Sequence, residues 1–162
     1  MSSQSAKHQL TKNVKLLQKA VLIHDGKFLI LQRNEKAKSR PLCWDLPGGN
    51  SEWPENVNEN LENLHQKDVA REILEETGIT VFDEHFTFEN MVLFRTFFEA
   101  ESEVYSIITG WKVELPDDFE RSQVQLSDEH INHKWVTFDE LNEYDFGNKK
   151  GEFIKDVIRA AI

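Results

Sequence analysis

The sequence predicts an α+β domain built on a mixed β-sheet. Apolar, β-prone runs joined by an Asp-Gly turn open the chain, and a helix-periodic segment ending at a glycine lies in its middle. A second pair of long β-prone runs then precedes a capped helical end. At 162 residues the chain has the size of one domain, and 39% hydrophobic content with 4 Trp and 11 Phe is enough for a core.

Residues Val14 to His24 and Lys27 to Arg33 flank Asp25-Gly26, a two-residue turn that tolerates positive φ and matches hairpin twist, so a β-hairpin is expected. A basic irregular stretch follows, with Arg33, Lys36, Lys38 and Arg40 ending at Pro41. Trp44-Asp45-Leu46-Pro47-Gly48-Gly49 then reads as a short strand running into a sharp turn. From Val69 to Thr77 the pattern is helical, with Ala70, Ile73, Leu74 and Thr77 on one side and Gly78 where a left-handed residue ends a helix. Val57, Leu61 and Leu64 form a stripe out of phase with it. Four Asn weaken helix propensity there, so a separate helical turn or two and then a break are expected. Residues 86–98 and 104–115 form a second hairpin across the acidic loop 99–103. A short strand near Lys134-Trp135-Val136 leads into Thr137-Phe138-Asp139-Glu140, whose spacing is a capping box. The last helix carries Ile154, Val157, Ile158, Ala161 and Ile162 on one face.

The formal net charge is −10, which argues against holding duplex nucleic acid by general electrostatics, although a local cation cluster or bound metal still permits phosphate binding. Cys43 is the single cysteine and makes no internal disulfide. Residues 1–13 are polar and read as a flexible segment without the apolar run of a signal peptide. No stretch reaches the roughly 20 apolar residues of a membrane span. A cytoplasmic protein without membrane partners is expected, as monomer or homodimer.

The chemistry concentrates at Arg71-Glu72-Ile73-Leu74-Glu75-Glu76-Thr77-Gly78-Ile79. Glu72, Glu75 and Glu76 crowd into about 100° of helix surface. Like charges at these spacings oppose helix formation by roughly 0.2–0.5 kcal/mol per pair, and the negative end of the helix dipole opposes the last two further. A hard divalent cation reverses that sign, since Mg²⁺ and Mn²⁺ prefer carboxylate oxygens. A solvated acidic face is the alternative for these residues taken alone.

Spacing adds to the carboxylates. The segment resembles the box of the Nudix (MutT-like) hydrolases, G-x5-E-x7-R-E-U-x-E-E-x-G-U with U aliphatic. Gly49 is followed after five residues by Glu55, and Arg71, Glu72, Ile73, Glu75, Glu76, Gly78 and Ile79 fit the second half. Between Glu55 and Arg71 lie fifteen residues where the family has seven, an insertion placed at about 56–68, and Pro54 stands where a Gly is usual. The first hairpin, W-D-L-P-G-G and W-V-T-F-D-E-L are similar to flanking family segments.

The resemblance implies a Nudix-type α/β/α sandwich with a catalytic loop-helix-loop, one domain over 1–162, and hydrolysis of a phosphoanhydride in a small-molecule nucleotide with Mg²⁺ or Mn²⁺. It implies that Glu72, Glu75 and Glu76 hold metal, with the Gly49 carbonyl adding a ligand and Glu55 an outer one. Glu129, on a loop six residues before Trp135, is base or last ligand, and Glu72 is the rival base. Arg71 orients Glu75 or a loop carbonyl. Gly48 and Gly49 admit close backbone approach, and Trp44 reads as core. Arg33 and Arg40 read either as phosphate contacts or as surface charge. Loop 99–103 is a solvated tip, and His130 and His133 are structural or exposed.

Two other functions remain open at this stage. A non-catalytic nucleotide sensor on the same fold is favoured by the insertion, whereas a prenyl diphosphate isomerase needs an activated Cys that Cys43 does not match. Position 94 is Phe, and neither Pro nor Tyr occurs from 92 to 98, so the substrate signatures for ADP-ribose and dinucleoside polyphosphates are missing. What remains is a MutT-like nucleoside triphosphate or another small nucleotide.

Overall fold

A computed structural model of the chain describes residues 13–58, 60–149 and 151–162. The expected flexible segment therefore lies outside the described residues, apart from Asn13.

The expected hairpin forms from β1 (Val14–His24) and β2 (Lys27–Arg33), with Asp25 and Gly26 both at positive φ in the turn. The two strands pair only next to that turn, at Ile23↔Phe28 and His24↔Lys27, and then part. Into the fork enter β3 (Trp44–Asp45), which pairs with β2, and β4 (Gly48–Asn50), which pairs with β1 through Gln18↔Gly49 and Lys19↔Gly48. The fork places the Gly48-Gly49 backbone in the middle of the fold. Helix α1 (Leu64–Thr77) follows. Next come β5 (Met91–Glu99), β6 (Val104–Glu114), β7 (His130–Val136) and α2 (Glu152–Ala161). β6 runs parallel to β1, β5 is antiparallel to β6, and β7 is antiparallel to β2. The sheet is mixed, as expected.

Strand β1 is apolar on both sides because both its faces are covered. Ala20 and Leu22 pack with Val69 and Ile73 of α1, while Val21 and Ile23 pack with Ile154, Val157 and Ile158 of α2. The result is an α/β/α sandwich. Among the described residues no helix is long and apolar enough to cross a membrane.

Several expectations change. α1 begins at Leu64, five residues before Val69, and among the described residues of 51–62 none is helical. The Asn side chains of that stretch accept backbone N–H groups two residues on, Asn56 from Asn58 and Asn60 from Glu62, which competes with helix. The buried side of α1 is Val69, Ile73, Glu76 and Thr77, while Leu74 is 49% exposed. The apolar stripe thus continues into a carboxylate. β5 starts at Met91 because Phe88–Asn90 form a short 3₁₀ turn. The capping box is present, with Thr137 N–H donating to Glu140 Oε2 at 2.7 Å, but it opens a six-residue 3₁₀ segment. Ile162 lies past the end of α2 and is exposed.

Candidate active site

α1 is held at its C-terminus from two directions. Gly78, at φ 71°, donates to Leu74 O at 2.8 Å. The segment before β7 also donates to the carbonyls that a helix end leaves unpaired, Gln125 N–H to Thr77 O at 2.8 Å and Ser127 N–H to Glu76 O at 3.4 Å. Asn34, just after β2, holds the next residues through bonds to Asp128 O (2.7 Å) and Glu129 O (3.0 Å). Helix capping and a loop tether therefore bring Glu129 and His130 to the last turn of α1.

The three box carboxylates have three different environments. Glu76 is only 6% exposed, and its Oε2 accepts the Gly48 N–H at 2.9 Å. Burial pushes its carboxyl up to about 8, against the pull of Lys19 and the Gly48 N–H. Glu72 is half-buried beside Gly49, where a Cβ would come within 2.8 Å of its carboxylate. Burial raises its carboxyl too, opposed by Arg71 and assisted by the charges of Glu75 and Glu129. Glu75 is exposed and bonded to Arg71 at 3.2 Å, and the same guanidinium reaches Glu72 at 3.3 Å. Arg71 thus spans two of the acids from one face of the helix.

Ligand oxygens of Glu76 and Glu129 and a ring nitrogen of His130 lie within 4.8 Å of one another. Carboxylate oxygens suit a hard divalent cation. The fit is supported by Glu76 itself: a buried carboxylate is costly without a cation, and the nearby Lys19 ammonium is bonded to Asp45 instead. His130 was expected to be structural or exposed. The structure instead buries it against the acids, a placement whose only sequence trace is its adjacency to Glu129. His133 is half-buried on β7, opposite Leu31. Glu55 is exposed and, among the described residues, makes no ion pair with Arg71; the upstream acid that reaches Arg71 is Glu52, at 3.7 Å.

Arg33 and Arg40 converge on a residue that was not anticipated. Oδ2 of fully buried Asp45 accepts from Lys19 Nζ (3.1 Å), Arg33 (3.1 Å) and Arg40 (3.0 Å). Burial works to raise the Asp45 carboxyl, but these three cations overcome it and hold it below its ordinary value. One carboxylate among three cations leaves excess positive charge beside a cavity of about 580 Å³, lined also by Lys15, Asn50, Phe97 and Phe153. Trp44 is buried and meets Tyr144 edge-on, as core. Burial pushes the Cys43 thiol up, with Asp145 adding to it, so it is not an activated thiolate.

Comparison with known proteins agrees with this geometry. The family model described as NUDIX domain matches residues 18–157. The chain belongs to the Nudix family. It is a hydrolase acting on pyrophosphate bonds in nucleoside diphosphate derivatives. No curated protein matches it. Among solved structures, the MutT protein from Methanosarcina mazei Go1 is 27% identical with a TM-score of 0.64, over 93% of this chain and 97% of that one. A MutT NUDIX hydrolase from Burkholderia pseudomallei shares the fold at 20% identity and TM-score 0.63, over 93% of this chain and 100% of that one. So does a bifunctional NMN adenylyltransferase/ADP ribose pyrophosphatase from Francisella tularensis, solved with AMP and a manganese ion. Its identity is 19% and TM-score 0.61, over 99% of this Nudix chain and 45% of that one.

Proposed function

We propose that this Nudix chain is a divalent-metal-dependent pyrophosphohydrolase whose substrate is a small nucleotide of the nucleoside triphosphate kind. The observation that carries the reading is the burial of Glu76 at the meeting point of α1, the Gly48-Gly49 turn and the Glu129 loop. Glu72, Glu75 and Glu76 hold the metal, the Gly49 carbonyl adds a ligand, and Glu129 is the last ligand. Bound there, Mg²⁺ or Mn²⁺ would offset the charge of the diphosphate and lower the pKa of the attacking water.

The rest falls to the protein. Glu72, half-buried beside Gly49, is the base that takes a proton from the attacking water. Arg71 fixes Glu72 and Glu75 in place, and Glu55 stays at the rim. Arg33 and Arg40, anchored on Asp45, face the nucleotide phosphates with the charge that Asp45 leaves uncancelled. Their bonds to one another's partner hold them rigid, so little ordering is needed when the substrate arrives.

The experiment is incubation of the protein with Mg²⁺ or Mn²⁺ and a panel of nucleotides, reading phosphate and pyrophosphate release. Turnover that disappears on chelation supports the reading. Ligand-dependent melting shifts without product from any nucleotide would leave a sensor in its place.

A further inference from the structure

We propose that the metal site of this chain includes a nitrogen ligand, the imidazole of His130, beside the carboxylates of Glu76 and Glu129, and that the site therefore takes Mn²⁺ in preference to Mg²⁺. The inference rests on the metal-dependent reading above and specifies its donor set.

His130 is 7% exposed, and its buried Nδ1 has no hydrogen-bond partner among the described residues. A buried ring nitrogen left unpaired is costly, and an imidazole buried for packing alone normally finds partners. This one has two carboxylates beside it, yet its ring makes neither a hydrogen bond nor an ion pair with either. The three ligand atoms nevertheless stay within 4.8 Å of one another. Ligands bonded to one cation at about 2.0–2.2 Å stand roughly 3 to 4.4 Å apart, so a small inward movement brings all three onto a common ion.

The surroundings hold the ring there. His130 begins β7, where it pairs with Arg33 at an irregularity in the β2–β7 register, and its own N–H donates to Ser127 O at 3.3 Å. Ser127 in turn bonds to the Glu76 carbonyl. The histidine and the box carboxylate are thus tied through one short loop. Imidazole is a weaker partner for Mg²⁺, which prefers oxygen, than for a first-row transition ion such as Mn²⁺.

The test uses the full chain with Mn²⁺ or Mg²⁺ alone. Pulsed electron paramagnetic resonance of the Mn²⁺-loaded protein should show a directly coordinated nitrogen that is absent from His130→Gln. Calorimetric titration should show the ratio of Mn²⁺ to Mg²⁺ affinity falling at least about tenfold in that variant, which keeps an oxygen donor in place of the nitrogen. If the variant fails to fold in chelator, the wild-type spectrum decides. Mn²⁺ bound without nitrogen coupling overturns this inference and leaves the metal-dependent hydrolase intact. No metal bound, even with nucleotide present, overturns both.

Discussion

The backbone N–H of Gly48 donates to Oε2 of Glu76 at 2.9 Å, tying the turn between β3 and β4 to the last turn of α1. A Cβ on Gly48, whose φ is 134°, would meet the Gln18 carbonyl oxygen at 2.0 Å, so the donor can be presented there only by glycine. The bond fixes which of the box acids is turned inward.

Metal-free protein should lose stability as pH rises from about 6.5 to 8; below 6.5 the buried His130, held down to about 4, contributes with the opposite sign. Glu76 keeps its proton in the fold up to about 8, whereas the unfolded chain releases it near 4.5. The folded state binds more protons across that window, so unfolding free energy falls with increasing pH and levels off above it. Melting curves in chelator from pH 6.5 to 9 should show Glu76→Gln flatter than wild type. The variant should gain on the order of 2–4 kcal/mol relative to it at the alkaline end, while turnover is lost. Parallel slopes for the two proteins would contradict this.

Metal binding should release a proton. A ligand carboxylate must be ionised, and at pH 7 Glu76 in the metal-free protein is protonated. Calorimetry of Mn²⁺ binding in two buffers of different ionisation enthalpy should return about one proton per chain for wild type, and close to none for Glu76→Gln.

The two glycines of the turn should fail in different ways. Gly48→Ala strikes backbone at a strained φ and should cost several kcal/mol of stability, on the order of an abolished fold. Gly49→Ala meets the end of the Glu72 side chain, which can swing away. It should fold within about 1 kcal/mol of wild type while losing most activity. Thermal melts set beside turnover rates separate the two.

Asp45→Asn should be damaging although Asp45 lies outside the box. It leaves Lys19, Arg33 and Arg40 without their shared anion, and breaking a buried pair from one side costs about 3–5 kcal/mol. The Asp45 carboxyl sits below its ordinary value of 3.8. Its contribution is therefore complete above that pH and lost as pH falls through the lower folded value. Denaturant titrations should show the gap between wild type and variant steady at neutral pH and closing only in strong acid.

Much of this fold was legible in local chemistry. Asp25-Gly26 announced its hairpin, Gly78 its helix end and Thr137/Glu140 their capping box, because each depends on bonds within a few residues. The helical wheel likewise grouped Glu72, Glu75 and Glu76. The phase of Val69 and Ile73 turns Glu76 inward and Glu75 outward, but it could not say what the buried carboxylate meets. Its partners come from Gly48 and the loop ahead of β7, both far away in sequence. The early start of α1 was obscured by the Asn-rich stretch before it, and Leu74 was assigned to the core because its apolar character outweighed the phase set by Val69 and Ile73.

By itself the sequence determined the family and the grouping of three acids on one helix, since these follow from residue type and spacing along that helix and its flanking turns. Only the tertiary structure decided that Arg33 and Arg40 are anchored by Asp45 and that His130 joins Glu76 and Glu129. Those contacts link strands and loops that meet only once the β1–β2 fork has opened around the glycine turn. Burial and charge balance depend on what the fold brings into contact, and no periodicity in the chain records them.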